Sequence, residues 1–329
     1  MNAAAAPDAV LPPPAVRLGV STCLLGRNVR MDGGHKRNRF LVDGLGPFVE
    51  WVPVCPEVEV GMGTPRPALR LERTDVADRP RMVVRDTGAD VTREVEDWSE
   101  ERIRDLAAEN LHGYVFKKDS PSCGLFRVKL YQPSGMADRS GRGLFAAAFA
   151  RAFPTLPIEE EGRLSDPKLR ENFVLRVFTL ARWRALLEAH ATPGGLVLFH
   201  SAHKMLLLAH SPVRYRELGQ LVAEAGSRPW GELTIAYEAG LMDALSRPAS
   251  RARHVNALQH IGGVVKDSLD AGSKREWADV LQQYRAGLLP LVAPLTLLRH
   301  FLSHLDAKAW ARDQVYLDPY PAELMLRNA

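Results

Sequence analysis

The chain has 329 residues, which at roughly 100–200 residues per domain is room for two domains of ordinary size. Hydrophobic residues make up 46% and charged residues 25%, a composition that is typical of a folded, soluble protein and excludes a disordered or fibrous one. The 43 Lys and Arg residues against 39 Asp and Glu give a net charge of +4, so any nucleic-acid binding must come from local basic patches, and none to DNA is expected.

No apolar segment reaches the roughly 18 residues that span a bilayer, since the best candidate, residues 196–208, contains four polar residues. We therefore expect no membrane anchor. Residues 1–15 are rich in Ala and Pro and lack the basic start of a signal peptide, which predicts a disordered tail and a cytoplasmic protein. The three cysteines are an odd number, which does not suit a disulfide framework.

Residues 16–153 predict an α/β domain with a largely parallel sheet, because short apolar runs of strand length alternate with segments of helical periodicity. The predicted strands are 17–22, 48–54, 81–84 and 111–116, and the predicted helices are 94–110 and 143–153. Residues 154–167 mix prolines, a glycine and a run of three Glu, which predicts an exposed linker between two domains.

Residues 168–329 show long helical patterns with few strand signals. Pro and Gly residues separate these patterns, because both residue types stop or start helices. We therefore predict an all-α second domain over 168–329, with helices at 168–190, 196–210, 212–224, 231–245, 248–269 and 274–288.

Each cysteine closes a predicted strand or the loop after one. Cys23 and Cys55 follow the first two strands, and Cys123 lies in the loop after the strand that ends at residue 116. The carboxyl ends of parallel strands lie along one edge of an open sheet, where ligands bind, so the three thiols are expected to converge. The alternative is three unrelated cysteines that are buried as small hydrophobic residues.

The neighbours of these cysteines favour a ligand role. Cys55 precedes Pro56 and Glu57, and Cys123 lies in Ser-Pro-Ser-Cys-Gly, so both occupy stiff turns with polar surroundings. A structural zinc ion normally takes four protein ligands, and the chain has no paired C-x-x-C motif, so zinc fits poorly. Three thiolates suit a [4Fe–4S] cluster better and leave one iron open. Such a thiophilic iron favours chemistry on a carbon–sulfur bond over electron transfer.

Three ordered motifs contain the cysteines: Ser-Thr-Cys-Leu-Leu-Gly at 21–26 with Val-Arg-Met-Asp-Gly-Gly at 29–34, Pro-Val-Cys-Pro-Glu at 53–57 with Gly-Thr-Pro-Arg-Pro at 63–67, and Ser-Pro-Ser-Cys-Gly at 120–124. Together they resemble the thiouracil desulfidase family over residues 16–153. The resemblance implies that Cys23, Cys55 and Cys123 bind a [4Fe–4S] cluster. It also implies that Glu57 and Ser120 carry catalysis. Residue 31 is Met, where the family pattern leads us to expect an aromatic residue.

Replacing the C=S of a thiopyrimidine by C=O requires activation of sulfur and of water, without net electron transfer. We expect Glu57 to position or deprotonate the water, and Ser120 to orient the base or relay a proton. The alternatives are a solvated or helix-capping carboxylate for Glu57 and a turn hydroxyl for Ser120, with Ser122 a close rival. The predicted substrate-binding residues, which could equally be ion pairs that hold loops, are Arg30, Asp32, Thr64, Arg66 and Ser122.

The second domain carries motifs of its own: His-Ser-Ala-His-Lys at 200–204, Asn-Ala-Leu-Gln-His-Ile-Gly-Gly at 256–263 and Tyr-Leu-Asp-Pro-Tyr-Pro at 316–321. They look like the YbgA-type helical domain over residues 165–329. The fusion of two such domains is similar to bacterial enzymes that remove sulfur from 4-thiouridine in transfer RNA (tRNA). In that arrangement the resemblance implies that the helical part holds the RNA.

Two groups of residues in the second domain are candidates for RNA contact. Helical projection of residues 196–211 places His200, His203 and Lys204 on one polar stripe. Arg251 and Arg253 belong to a basic cluster around a later predicted helix. The alternative for the stripe is a hydrated face, or histidines that are bonded to neighbouring helices.

These features predict a non-redox desulfidase that converts 4-thiouridine in tRNA to uridine and releases sulfide. A desulfidase of free thiouracil or a thionucleoside is the enzymatic alternative. A cluster-bearing RNA-binding or redox-sensing regulator without turnover is the alternative of a different class. The sequence leaves the oligomeric state open.

Overall fold

The computed structural model describes residues 15–74, 79–305 and 307–328. The chain divides into two units, one that ends at Phe173 and one that begins at Val174. The first is an α/β unit and the second is helical, which confirms the predicted fold class. The predicted tail, residues 1–15, lies outside the described residues except for Ala15.

The first unit contains strands and short helices in alternation. Its strands are β1 (Arg17–Ser21), β2 (Glu50–Val54), β3 (Leu69–Glu72), β4 (Arg81–Val84), β5 (Gly113–Phe116), β6 (Val128–Tyr131), β7 (Ala137–Gly141) and β8 (Ile158–Glu160). Its helices are α1 (Pro56–Glu59), α2 (Thr92–Ala108) and α3 (Leu144–Ala152).

A parallel sheet of order β2-β1-β5-β8 forms the centre of the first unit. Every residue of β5 is buried, as expected for a parallel strand that is covered on both faces. Pro53 lies in β2, at the edge of the sheet, where a missing backbone donor is tolerated. The Tyr114 and Phe116 rings of β5 pack against Phe149 of α3. The predicted parallel sheet is therefore present, with its core on the α3 side.

A second sheet, of order β4-β3-β6-β7, is mixed. Strands β3 and β6 are parallel, whereas β4 and β7 run antiparallel to their neighbours. One face of this sheet packs on an apolar cluster, and the residues of its strands in that cluster are Leu71, Met82, Val128 and Leu130. Only β4 was predicted, because β3 and β6 are four residues long and β7 has the largely polar sequence Ala-Asp-Arg-Ser-Gly.

The exposed linker predicted for residues 154–167 is wrong. Strand β8 lies in this segment and pairs with β5, and Glu159, Glu160 and Glu161 are all buried. Glu160 Oε1 accepts the backbone N–H groups of Leu125 (2.7 Å) and Phe126 (3.0 Å). Glu161 is paired with a lysine, so the acidic run is buried because each carboxylate has a partner.

Helices make up the rest of the described chain: α4 (Pro167–Ala189), α5 (Pro193–His210), α6 (Pro212–Ala223), α7 (Trp230–Ala244), α8 (Arg251–Gly262), α9 (Ala271–Ala286), α10 (Val292–His304) and α11 (Ala309–Arg312). Helix α8 is shorter than predicted, since it ends at Gly262. Helix α10 was not predicted, and it carries Pro294 in its first turn, where proline is tolerated. No helix within the described ranges is long and apolar enough to cross a membrane.

Substitution of Gly19 tests the packing of the parallel sheet. A Cβ at this position of β1 would lie 2.1 Å from a ring carbon of the fully buried Tyr114. We expect Gly19→Ala to destabilise the protein by about 1–3 kcal/mol, because the core cannot expand without strain. Guanidinium unfolding followed by circular dichroism measures this loss. As a control, Gly231→Ala in α7 meets no atom within 4 Å. An unchanged midpoint for Gly19→Ala would contradict the packing described.

Candidate functional site

The three cysteines lie at the ends of neighbouring strands. Cys23 follows β1 in a short 3₁₀ turn, Cys55 follows β2 and caps α1, and Cys123 lies in the loop after β5. Since β2, β1 and β5 are adjacent and parallel, these positions share one edge of the sheet. All three side chains line the same cavity of about 880 Å³, and none forms a disulfide. The structure thus brings together the three thiols that the sequence predicted to converge.

Burial controls the chemistry of these thiols. It raises the pKa of Cys23 to about 11 and also raises the pKa values of Cys55 and Cys123. The three sulfurs influence each other, since a charge on one raises the pKa of another. Free thiolates are therefore disfavoured at neutral pH, which argues against any of them acting as an unassisted nucleophile. A bound metal centre would supply the positive charge that thiolate formation requires.

The donor set fits an iron–sulfur cluster better than a single ion. Among the described residues, no three His, Cys, Asp or Glu side chains are grouped closely enough to hold one metal ion. In a cluster each cysteine binds a different iron, so the thiols surround the group and need not meet at one point. Three thiols around one cavity would hold three irons of a [4Fe–4S] cluster and leave the fourth without a protein ligand.

Glu57 lies in α1 between an arginine and two serines. Its Oε2 accepts hydrogen bonds from Arg66 Nε (3.0 Å) and from Arg66 Nη2. Its Oε1 accepts from the Ser122 hydroxyl (2.7 Å) and faces the Ser120 hydroxyl at 3.4 Å. The Arg66 side chain is only 3% exposed and also donates to the Val29 carbonyl (2.9 Å). The carboxylate is therefore held at both oxygens, in the wall of the thiol-lined cavity.

The two serines have different environments. The Ser120 hydroxyl accepts the backbone N–H groups of Ser122 (3.3 Å) and Cys123 (3.1 Å), so it also shapes the turn that carries the cysteine. The Ser122 hydroxyl is buried, bonds Glu57 more closely, and lies 3.8 Å from the Cys123 sulfur. Ser120 therefore has the turn role that the sequence left open. Ser122, the other candidate serine, belongs to the same hydrogen-bonded group.

The predicted substrate-binding residues divide into two groups. Arg30 and Arg66 line the cavity, as does Met31, which is 43% exposed. Asp32 lies outside the lining, accepts a backbone N–H of its own turn and faces Arg30 at 3.4 Å. Thr64 is also outside the lining and lies 3.5 Å from Arg66 Nη1. Asp32 thus forms an ion pair within its own loop, which is the alternative that the sequence left open for it.

Sequence reasoning did not single out three charged residues near the thiols, which are Lys117, its partner Glu161, and Glu59. Lys117 lines the cavity, lowers the pKa of Cys23 through its charge, and is paired with Glu161 at 2.5 Å. Glu59 accepts the backbone N–H of Cys55 (2.8 Å) and so fixes the start of α1. Lys117 directly follows β5, so the rule that strand ends carry function could have identified it.

The polar stripe predicted on α5 is wrong. His203 is buried, stacks on Phe199, and burial lowers its pKa to about 3. His200 Nδ1 bonds the Tyr237 hydroxyl (3.0 Å), and burial lowers its pKa to about 4. Leu198, expected on the buried side, is 65% exposed. Both histidines are therefore neutral. His200 bonds a neighbouring helix, which is the alternative considered for it, whereas His203 bonds the Phe199 carbonyl of its own helix.

The remaining candidates for RNA contact have mixed exposure. The Lys204 ammonium lies 4.0 Å from the ring centroid of Trp310, a cation–π contact. Arg251 and Arg253 of α8 are exposed, and Arg253 also donates to the His210 carbonyl (2.7 Å). These two arginines are the members of the predicted set that solvent reaches most freely.

The α/β fold, with thiols, a carboxylate and hydroxyls around one cavity, defines a cofactor-dependent enzyme. Residues 18–161 match the family described as 2-thiouracil desulfurase, and residues 204–321 match DUF1722, described as a protein of unknown function. The "Uncharacterized protein YbgA" of Escherichia coli (strain K12) is 32% identical over 162 residues, which are 48% of this chain and 94% of that protein. The chain belongs to the family of YbgA, and its residues 18–161 match the 2-thiouracil desulfurase family.

One solved structure is also similar. It is described as a [4Fe-4S]-dependent thiouracil desulfidase, TudS, and is 31% identical in sequence. The alignment covers 49% of this chain and 99% of that chain, with a TM-score of 0.39.

The Arg66–Glu57 pair makes a prediction about stability. We expect Arg66→Met to destabilise the first unit by about 3–5 kcal/mol, because it leaves a carboxylate without its buried partner. The double variant Glu57→Gln with Arg66→Met should recover part of this loss, as urea unfolding of all four proteins in the cycle would measure. Arg81→Met, which breaks a more exposed pair with Glu72, should cost less than about 1 kcal/mol. Additive losses in the cycle would show that the two side chains are not coupled.

Proposed function

We propose that the protein is a non-redox desulfidase that converts 4-thiouridine in tRNA to uridine with release of sulfide. The observation that carries the proposal is the cavity that three strand-end thiols share with Glu57 and its two serines. The match of residues 18–161 to the 2-thiouracil desulfurase family supports chemistry on a thiopyrimidine. Action on tRNA would take place in the cytoplasm.

The reaction exchanges the sulfur of C=S for the oxygen of water, and the sulfur leaves as hydrogen sulfide. No electrons are gained or lost overall, so the site needs to activate water and to accept sulfur. A [4Fe–4S] cluster held by Cys23, Cys55 and Cys123 would supply one open iron, a Lewis acid with affinity for sulfur.

Glu57 is the base of the proposed reaction. Arg66 holds Oε2, so Oε1 is the oxygen that takes up a proton from water. The Ser122 hydroxyl bonds this oxygen, so it can pass a proton to or from the carboxylate. Ser120 bonds the Ser122 hydroxyl (3.0 Å) and keeps both in place.

Free thiouracil is the second candidate substrate. The first unit matches a family described as 2-thiouracil desulfurase, and the similar solved structure is described as a thiouracil desulfidase. The tRNA assignment is supported by the second, helical unit and by exposed cations such as Arg251 and Arg253.

An anaerobic assay with reconstituted protein separates these functions. We expect the thione absorbance of 4-thiouridine in tRNA to fall while sulfide appears, and tRNA affinity to decrease with salt. Faster loss of the absorbance of free thiouracil would favour the second candidate. Unchanged absorbance with both would favour a regulator without turnover.

Substitution of the cysteines tests the cluster ligands. The variants Cys23→Ser, Cys55→Ser and Cys123→Ser should each bind less iron than the wild-type protein. Full iron content in any of them would exclude that cysteine as a ligand.

Loss of the carboxylate should stop turnover without loss of the cluster. We expect Glu57→Gln to lower kcat by about 10²–10⁴-fold, the usual contribution of a general base, while the visible absorbance of the cluster persists. Ser122→Ala should also lower kcat, because Oε1 loses its closest hydrogen bond. Glu109→Gln removes a carboxylate of the Arg17 ion pair, outside the cavity, and serves as the control. Normal turnover by Glu57→Gln would remove Glu57 from the mechanism.

A further inference from the structure

The end of β1 carries a buried hydroxyl that the proposed reaction does not use. Ser21 is the last residue of β1, is only 2% exposed, and lines the cavity that the three thiols share. Its Oγ accepts the backbone N–H of Lys117 at 2.9 Å. The backbone pairing of β1 with β5 ends at Val20 and Val115, so this hydrogen bond extends the contact between the two strands to the edge of the sheet.

The Ser21 hydroxyl has one proton to donate and two lone pairs that accept. The Lys117 N–H occupies one lone pair, and a side chain that is 2% exposed needs a protein acceptor for its proton. The Cys123 sulfur is that acceptor. Burial raises the pKa of the Cys123 thiol, and a hydrogen bond from the Ser21 side chain is the largest effect that lowers it. Ser21 therefore stabilises the thiolate form of Cys123.

Ser122 is the other hydroxyl beside this sulfur, and its Oγ lies 3.8 Å from Cys123 Sγ. A hydroxyl has a single proton. The Ser122 hydroxyl donates it to Glu57 Oε1 at 2.7 Å, a short bond to a charged acceptor, which is the stronger kind. Ser21 is therefore the hydroxyl whose proton is available to the Cys123 sulfur.

A second buried hydroxyl, that of Tyr114, lies on the same face of the parallel sheet. Gly19 pairs with Tyr114 and leaves room for its ring, and Ser21 is two residues further along β1, on the same face and nearer to the cysteines. The Tyr114 hydroxyl is fully buried, burial raises its pKa, and it makes no hydrogen bond of normal geometry within the described residues. The phenol therefore keeps its proton, and Ser21, which lowers its pKa, is the neighbouring side chain toward which it can donate.

We propose that Ser21 is a positioning residue, whose hydroxyl donates a hydrogen bond to the Cys123 sulfur, and that Tyr114 reinforces this bond as the next hydroxyl in the chain. The inference rests on the part of the proposed function that makes Cys123 a ligand of a [4Fe–4S] cluster. Hydrogen bonds to sulfur withdraw electron density from such a cluster and help to set its reduction potential. An open iron with less electron density is a stronger Lewis acid toward a thione sulfur. Ser21 thus acts on the reaction through Cys123.

Removal of the Ser21 hydroxyl tests this role in the full-length protein, loaded with the cluster under anaerobic conditions. We expect Ser21→Ala to keep the cluster and to shift its midpoint potential to more negative values, because the sulfur regains electron density. The potential is measured by reductive titration followed by electron paramagnetic resonance. We also expect kcat to fall about 10–100-fold, the usual cost of losing a partner that orients a metal ligand. Ser21→Thr retains the hydroxyl and should keep both values close to those of the wild-type protein.

Two further variants separate this role from packing. Ser99→Ala removes another buried serine hydroxyl, which donates to the Val95 carbonyl (2.6 Å) in α2, outside the cavity, and it should leave the potential unchanged. Tyr114→Phe removes one buried O–H and leaves Ser21 in place to accept the Lys117 N–H. It should shift the potential in the same direction as Ser21→Ala, and it supplies the measurement if the alanine variant holds no cluster.

An unchanged potential in Ser21→Ala, or in Tyr114→Phe where the alanine variant holds no cluster, would overturn the inference. So would a Ser21→Thr variant whose potential is as negative as that of Ser21→Ala. Failure of the proposed function is recognised separately. A cluster-loaded protein whose potential depends on Ser21 but which leaves every thione unchanged keeps the role of Ser21 and rejects the desulfidase. Normal desulfidation with the same potential in all variants keeps the desulfidase and rejects the role of Ser21.

Discussion

The site depends on one constraint, the parallel alignment of three adjacent strands. Because β2, β1 and β5 run in the same direction, residues 32 and 68 apart in the sequence reach one edge of the sheet. The hydrogen bonds of the sheet set the distance between these strands. Strands β1 and β5 are almost entirely buried, so Cys23 and Cys123 lie in segments that follow buried strands. An antiparallel order would send alternate ends to opposite edges and separate the cysteines.

The buried thiols explain the distribution of charge around them. Thiolates in a desolvated place need positive neighbours, and Lys117 and Arg66 lower the pKa values of Cys23 and Cys55 respectively. Each of these cations is itself held by a carboxylate, Glu161 for Lys117 and Glu57 for Arg66. The same carboxylate, Glu57, is the proposed base. In the proposed reaction, the Arg66–Glu57 pair would therefore serve both the thiol of Cys55 and the activation of water.

The helical unit shows which features helical periodicity can predict and which it cannot. Helices α4 to α7 and α9 were predicted to within three residues at each end, because Pro and Gly breaks are local signals, whereas α10 was not predicted. The cap of α5 at Thr192 accepts the N–H of Gly195, as such a break implies. The orientation of α5 was not predictable in the same way. His200 and His203 turn inward because His200 Nδ1 bonds the Tyr237 hydroxyl and His203 Nδ1 bonds the Phe199 carbonyl, contacts that a helical projection does not show.

The amino-acid order by itself determined which residue types follow each strand, because strand periodicity and turn chemistry act over a few neighbours. The convergence of the cysteines followed from that order and a general rule of parallel sheets. Only the folded chain decided that Ser122, and not Ser120, gives Glu57 Oε1 its closer hydrogen bond, since 65 residues separate Ser122 from Glu57. It also decided that Glu160 and Glu161 are buried, because their partners come from segments more than 30 residues away. Composition predicts that charged side chains are exposed on average. A charged side chain is buried where it has a specific partner, and only tertiary contacts decide which partner that is.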